Sequence, residues 1–239
     1  MVRVKICGIT NEDDLKLCIN YGADALGFVV EYPAPVPWNL RIQDAEILMK
    51  KVPPFVSKVA VVGGEYEKVL HIADTLRPDA IQLHGDEPLE TTKQLISELK
   101  RLKIRVIKAI RFSAETGGLI SEIQNPIELS LVLQDMGVDA ILVDSQSGSM
   151  PAGTGKRVDW KIASKIRNSI MLPLILAGGL NPGNVYEAIK AVRPFAVDVI
   201  SGVEEKRGKK DPKKVKSFIQ EVKRLVRCSP TATLLYSLP

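Results

Sequence analysis

The chain has 239 residues, 45% hydrophobic and 26% charged, with three cysteines and two histidines. This balance excludes intrinsic disorder, collagen-like sequence and a membrane bundle. An odd cysteine count without C-x-x-C argues against a disulfide framework, and two isolated histidines argue against a metal site. The net charge of +5 is local, because residues 206–227 hold ten Lys/Arg and two Asp/Glu. With no RNP, helix-turn-helix or zinc-finger pattern beside it, that run reads as the solvated face of a terminal helix, and no nucleic-acid partner is expected. The start, MVRVKICGIT, has no apolar signal core and no apolar run approaches a membrane span. The expectation is a cytoplasmic protein with no membrane partner.

In chain order, strand 2–7 precedes helix 11–21, with Thr10 as its cap and Gly22 as its stop. Strand 24–30 runs into the loop Glu31–Trp38, held extended by Pro33, Pro35 and Pro37, before helix 41–51. Strand 56–62 and helix 65–76 follow, then strand 79–84 and helix 88–100. Strand 104–110 leads through a polar connection, 112–125, to helix 126–136. Strand 139–144 is followed by the glycine-containing loop Gly148–Lys156 and helix 159–168. Strands 172–177 and 196–201 pair with helices 182–192 and 212–226. Asn181-Pro182 and Asp211-Pro212 each place a cap before a proline at the first helical position. Residues 1–227 make one domain, and 228–239 form a tail expected to be flexible.

Eight βα units in succession predict an all-parallel sheet. An open sheet covered by helices needs apolar residues on both faces. Here alternate positions are polar: Arg3, Lys5 and Cys7; Gln82 and His84; Lys108; Asp144; Asp198. A closed single-domain (βα)8 TIM barrel accounts for them, with the apolar faces under the helices and the polar faces converging at the centre.

Three places carry candidate chemistry. Cys7 ends the first strand ahead of a helix, where a helix N-terminus or a nearby cation lowers a thiol's pKa. It is either a base or nucleophile, or a small buried hydrophobe. Gly178-Gly179 and Ser201-Gly202 each lie at a strand end before a helix start, in the seventh and eighth loops, where barrels commonly bind phosphate. Asp144 closes an apolar strand, so desolvation raises its pKa toward general-acid work unless it serves as a loop acceptor. Asp198, deeper in the eighth strand, needs a partner, and Lys5 or Lys108 is available. His84 either lines a pocket or is a satisfied core histidine.

The motifs KICGIT (5–10), DALGFV (24–29), QLHGDE (82–87), GTGKRVDW (153–160), AGGLNPGNV (177–185) and VDVISGVE (197–204), with KDP at 210–212, resemble the phosphoribosylanthranilate isomerase family of tryptophan biosynthesis. The resemblance runs over roughly residues 1–225. It implies an Amadori rearrangement of an N-phosphoribosyl aminobenzoate to a 1-deoxyribulose 5-phosphate, with Cys7 as base and Asp144 as acid. It implies a phosphosugar substrate, no cofactor and no metal, and a monomer or homodimer. Gly178, Gly179, Ser201 and Gly202 then hold the phosphate, Gly153, Thr154 and Gly155 close over it, and Lys5, Gln82, His84 and Asp198 join the substrate site. The family's arginine after strand two, which pairs with the substrate carboxylate, is replaced here by Trp38. Arg41, three residues on, is the expected substitute, or Trp38 stacks on the aromatic ring; if Arg41 does not serve, the carboxylate falls to backbone groups or to another cation such as Lys5 or Arg111. Rival readings are an isomerase for another phosphoribosyl amine and a non-catalytic phosphosugar-binding regulator.

Overall fold

Parity along each strand decides which side chains meet the barrel axis. A computed structural model describes residues 1–113, 115–146 and 158–227. Gly153, Thr154, Gly155 and the tail 228–239 lie outside the described residues. The barrel strands are β1 (Arg3–Ile6), β2 (Ala25–Val30), β3 (Ser57–Val62), β4 (Ala80–Leu83), β5 (Arg105–Ser113), β6 (Ala140–Gln146), β7 (Leu174–Leu176) and β8 (Ala196–Val199). Each pairs in parallel with the next, and β1 pairs with both β2 and β8, so the sheet closes. The intervening helices are α1 (Glu12–Tyr21), α2 (Ile42–Met49), α3 (Tyr66–Leu76), α4 (Leu89–Arg101), α5 (Pro126–Asp135), α6 (Trp160–Ser169) and α7 (Val185–Val192), with α8 (Pro212–Arg227) last.

Inside the barrel, Val59, Ala80, Ile107, Ala109, Ala140, Leu142, Ile175, Ala177 and Ala196 form a plug of small and medium apolar side chains. The larger core lies between strands and helices. Helix α8 shows why: Val215, Phe218, Ile219 and Val222 recur at helical spacing and are buried, while Lys213, Lys214 and Lys216 face solvent. The basic run is therefore mostly a solvated face, except for Lys210, which is fully buried in an ion pair with Glu204.

The structure corrects four local expectations. Lys108 does not reach the interior. Its register partners are Leu83 and Ile141, both on the outer face, and its ammonium sits 3.0 Å from Glu87 Oε2 beneath the helical ring. The cap of α1 is Asn11, whose side chain accepts from Asp14 N at 2.9 Å, while the Thr10 hydroxyl donates to Gly208 O. Asn181-Pro182 does not start α7. Asn181 Oδ1 accepts from Gly183 N, an Asx turn that delays the helix to Val185. Strand β8 stops at Val199 because the chain tightens into a 3-10 turn, Ser201–Val203. A short strand, Asn39–Leu40, pairs in parallel with the last two residues of β2, and a hairpin pairs Glu204–Lys206 with Lys209–Lys210; neither was expected.

Candidate active site

The polar layer sits above the apolar plug, at the C-terminal ends of the strands, and lines a cavity enclosing about 620 Å³. Cys7 forms its floor, with its amide bonded to Val199 O at 2.9 Å. Gly27 on β2 leaves the room for this arrangement, since a Cβ there would run into Cys7 Sγ and Lys5 Nζ. Lys5 bridges two groups. Its ammonium is 3.0 Å from Asp198 Oδ2, and its charge also acts on Cys7. Burial works to lower the Lys5 pKa, but Asp198 and Cys7 outweigh it and hold the ammonium above its ordinary value. The thiol is governed by the opposite balance. Burial pushes Cys7 up and Lys5 pulls it down only in part, so its net shift is upward, opposite to the sequence expectation. Helix α1 begins five residues beyond Cys7, which leaves the thiol outside the first turn where the helix dipole acts.

Asp144 faces the same cavity and is pushed up to about 7, chiefly by burial, against the lowering effect of the Ser145 amide that its Oδ1 accepts at 2.7 Å. A chain of polar contacts leads to it: Gln82 Nε2 is 3.0 Å from His84 Nδ1, and His84 Nε2 is 3.6 Å from Asp144 Oδ2. Two buried acceptors that line the cavity, Gln82 Oε1 and Asp198 Oδ1, have no hydrogen-bond partner among the described residues. Buried acceptors of this kind are matched by hydroxyl donors on a ligand.

The two ends of the cavity are built differently. At one, Gly178 and Gly179 adopt left-handed φ of +79° and +65°, and Ser201-Gly202 opens the 3-10 turn after β8. A Cβ on Gly202 would meet the Leu180 carbonyl, so the two loops touch through backbone alone. At the other end lie Val29, Tyr32, Val36, Trp38 and Val61. Trp38 is buried, and its Nε1 donates to Glu204 Oε1 at 2.6 Å; the same oxygen accepts from Lys210 Nζ at 3.0 Å. The Tyr32 hydroxyl donates to His84 O at 2.9 Å.

Of the residues expected at a site, Cys7, Trp38, Gln82, His84, Asp144, Gly178, Gly179, Asp198, Ser201 and Gly202 line this one cavity. Lys5 lies just beneath it. Arg41 does not come to the cavity: it precedes α2 with an exposed side chain, its Nε 2.8 Å from Asp44 Oδ2. The position is a helix cap on the outer ring, and a local carboxylate already holds the guanidinium. Tyr32 and the Glu204–Lys210 pair were not foreseen. Tyr32 was legible only as an aromatic at the end of a strand, whereas the pair depends on a contact with Trp38 that spans most of the chain.

The fold and the position of its cavity define the class first, a (βα)8 enzyme working at the C-terminal ends of its strands. The family model for N-(5'-phosphoribosyl)anthranilate isomerase matches residues 4–221. The N-(5'-phosphoribosyl)anthranilate isomerase of Methanocaldococcus jannaschii is 41% identical over 229 residues, covering 94% of this chain and 98% of the relative. A crystal structure of a phosphoribosylanthranilate isomerase in complex with reduced 1-(o-carboxyphenylamino)-1-deoxyribulose 5-phosphate aligns with TM-score 0.73 at 38% identity, over 94% of this chain and all of that one. Monomers derived from the dimeric phosphoribosylanthranilate isomerase of Thermotoga maritima align with TM-score 0.73 at 37% identity, over the same shares. The chain belongs to the N-(5'-phosphoribosyl)anthranilate isomerase family, and it is an isomerase of tryptophan biosynthesis.

Proposed function

We propose that Cys7 and Asp144 carry the isomerisation of N-(5'-phosphoribosyl)anthranilate as general base and general acid. Asp144 delivers a proton to the ribose ring oxygen as the bond from that oxygen to C1 breaks, leaving an iminium at C1. The iminium acidifies the C2 proton, and Cys7 as thiolate removes it. The resulting enolamine gains a proton at C1 and gives up the proton of its C2 hydroxyl, becoming the ketone, so the product is an isomer of the substrate. Lys5 holds the thiolate by charge, and Asp198 holds Lys5. The free oxygens of Gln82 and Asp198 receive the sugar hydroxyls, and His84 orients Asp144. The phosphate sits between Gly178-Gly179 and Ser201-Gly202, and the aromatic ring lies along Trp38 and Tyr32. The observation that carries this reading is a carboxyl with a pKa of about 7 and a buried thiol facing one cavity between a backbone cradle and an aromatic wall.

The working unit in this reading is residues 1–227, with the tail 228–239 dispensable, in the cytoplasm and as a homodimer. Support for the dimer is Phe55, fully exposed beside the wide cavity at the opposite end of the barrel, which Phe195 also lines. Sedimentation of the full chain measures that assembly directly.

Turnover of N-(5'-phosphoribosyl)anthranilate by the purified chain tests the chemistry. Cys7→Ser is expected to lower kcat by ~10²–10⁴-fold while still binding the reduced product analogue. Near-native kcat in that variant removes Cys7 from the mechanism.

A further inference from the structure

The aromatic end of the cavity has no cation among its described lining residues, yet an anthranilate ring brings a carboxylate to it. A buried carboxylate without a partner is costly. Among the described residues, four buried cations lie on the barrel strands or close to the cavity. Lys5 pairs with Asp198, Lys108 with Glu87 and Lys210 with Glu204, and all six of these side chains are at most 8% exposed. Arg111 differs. Its side chain is 3% exposed, but its carboxylate partner, Asp86, is 53% exposed.

It lines the hollow next to the cavity, with Asp86 and Glu87, and two observations turn it toward the ring. Arg111 stands opposite Asp144 in the β5–β6 register, so both side chains project to the inner face at the mouth of the barrel. The guanidinium also lies near enough to act by its charge on the Tyr32 hydroxyl, whose aromatic body belongs to the apolar wall. Resting on the reading of the cavity given above, we infer that Arg111 is the specificity-determining residue that receives the substrate's ring carboxylate, in place of the arginine this chain lacks at position 38. The guanidinium has five donors in a planar fork, enough for Tyr32, a bidentate carboxylate and a residual contact to Asp86. Asp86 loses little by turning away, because half of it is already in water. The buried partners of Lys5, Lys108 and Lys210 have no such exit, and moving any of them strands a charge.

The test is binding to the full chain of two probes: the reduced product analogue, and the same compound without the ring carboxylate. The native chain is expected to prefer the carboxylated probe by about ten- to a hundred-fold. Arg111→Met is expected to bring that preference to within about three-fold, and Arg111→Lys to restore part of it. Asp86→Asn, a surface change that keeps the fold, is expected to tighten the carboxylated probe several-fold and leave the other unmoved. The inference is overturned if Arg111→Met weakens both probes equally, if Asp86→Asn changes neither, or if the native chain binds both with one affinity. Failure of the native chain to bind either probe instead overturns the underlying assignment of the cavity.

Discussion

The two ends of the cavity follow different building rules. The end formed by Gly178-Gly179 and Ser201-Gly202 is made of backbone, and its shape depends on the absence of side chains. The end formed by Tyr32, Val36, Trp38 and Val61 is made of side chains, and one of them is locked by a bond to Glu204. A backbone cradle offers amide donors to any phosphate, so it constrains the reaction's common handle and says little about what else the ligand carries. A side-chain wall changes with each substitution, so the loss of an arginine at position 38 leaves the cradle untouched and moves recognition of the ring elsewhere.

Substitutions at each end break this comparison in different ways. The largest effect is expected from Gly202→Ala. The new methyl meets the Leu180 carbonyl and forces the two loops apart, so affinity for phosphate-bearing ligands should fall by ~10²-fold. Titration of the reduced product analogue measures it; unchanged affinity would mean the phosphate binds elsewhere. Between the ends, the pH dependence of kcat/KM reports the acid and the base. The active form needs Asp144 protonated and Cys7 ionised, yet the thiol lies above its ordinary value and Asp144 near 7. Over the interval between those two titrations the pair holds one proton, mostly on sulfur, and the active arrangement is a fixed minor share. The rate should therefore rise about ten-fold per pH unit up to about 7, then level, and fall only where the thiol titrates. A rate that declines through pH 7 contradicts this assignment. The smallest effect is expected from Trp38→Phe, which deletes the bond to Glu204 but leaves Lys210 on the same oxygen. Stability should drop by about 1 kcal/mol, and KM for the anthranilate substrate should rise a few-fold with kcat nearly unchanged. A drop in kcat as large as that of Cys7→Ser would place the indole in the chemistry.

The same contrast governs what the sequence disclosed. The barrel was legible because strand parity and eight repeated βα units are local signals, and the glycine loops because glycine at a strand end has a local cause. Cys7 was legible as a group at a strand end and Asp144 as a polar residue in an apolar strand, both within ordered motifs, although β6 continues two residues past Asp144 to Gln146. Lys108 misled because alternation along a strand does not say which face turns inward until neighbouring register fixes it. Arg41 misled because proximity in sequence to Trp38 ignores that a helix start carries the side chain to the outer ring. The thiol's upward shift was hidden because it depends on burial by residues from several strands. Tyr32 and the Glu204–Lys210 pair were hidden for a related reason, since each takes its role from a contact between separate loops.

The bond from Trp38 to Glu204 has a consequence in time as well as in space. It joins positions 166 residues apart, and its second support, Lys210, is later still. Val29, Tyr32, Val36 and Val61 all leave the ribosome early, but the indole among them has nothing to fasten to until the final hairpin is made. Closing so long a loop is slow, so the ring-binding wall, like the Lys5–Asp198 bridge that spans 193 residues, sets only after the end of the barrel is made. A nascent chain stopped short of Glu204 carries every residue of that wall and lacks the carboxylate that fastens its indole.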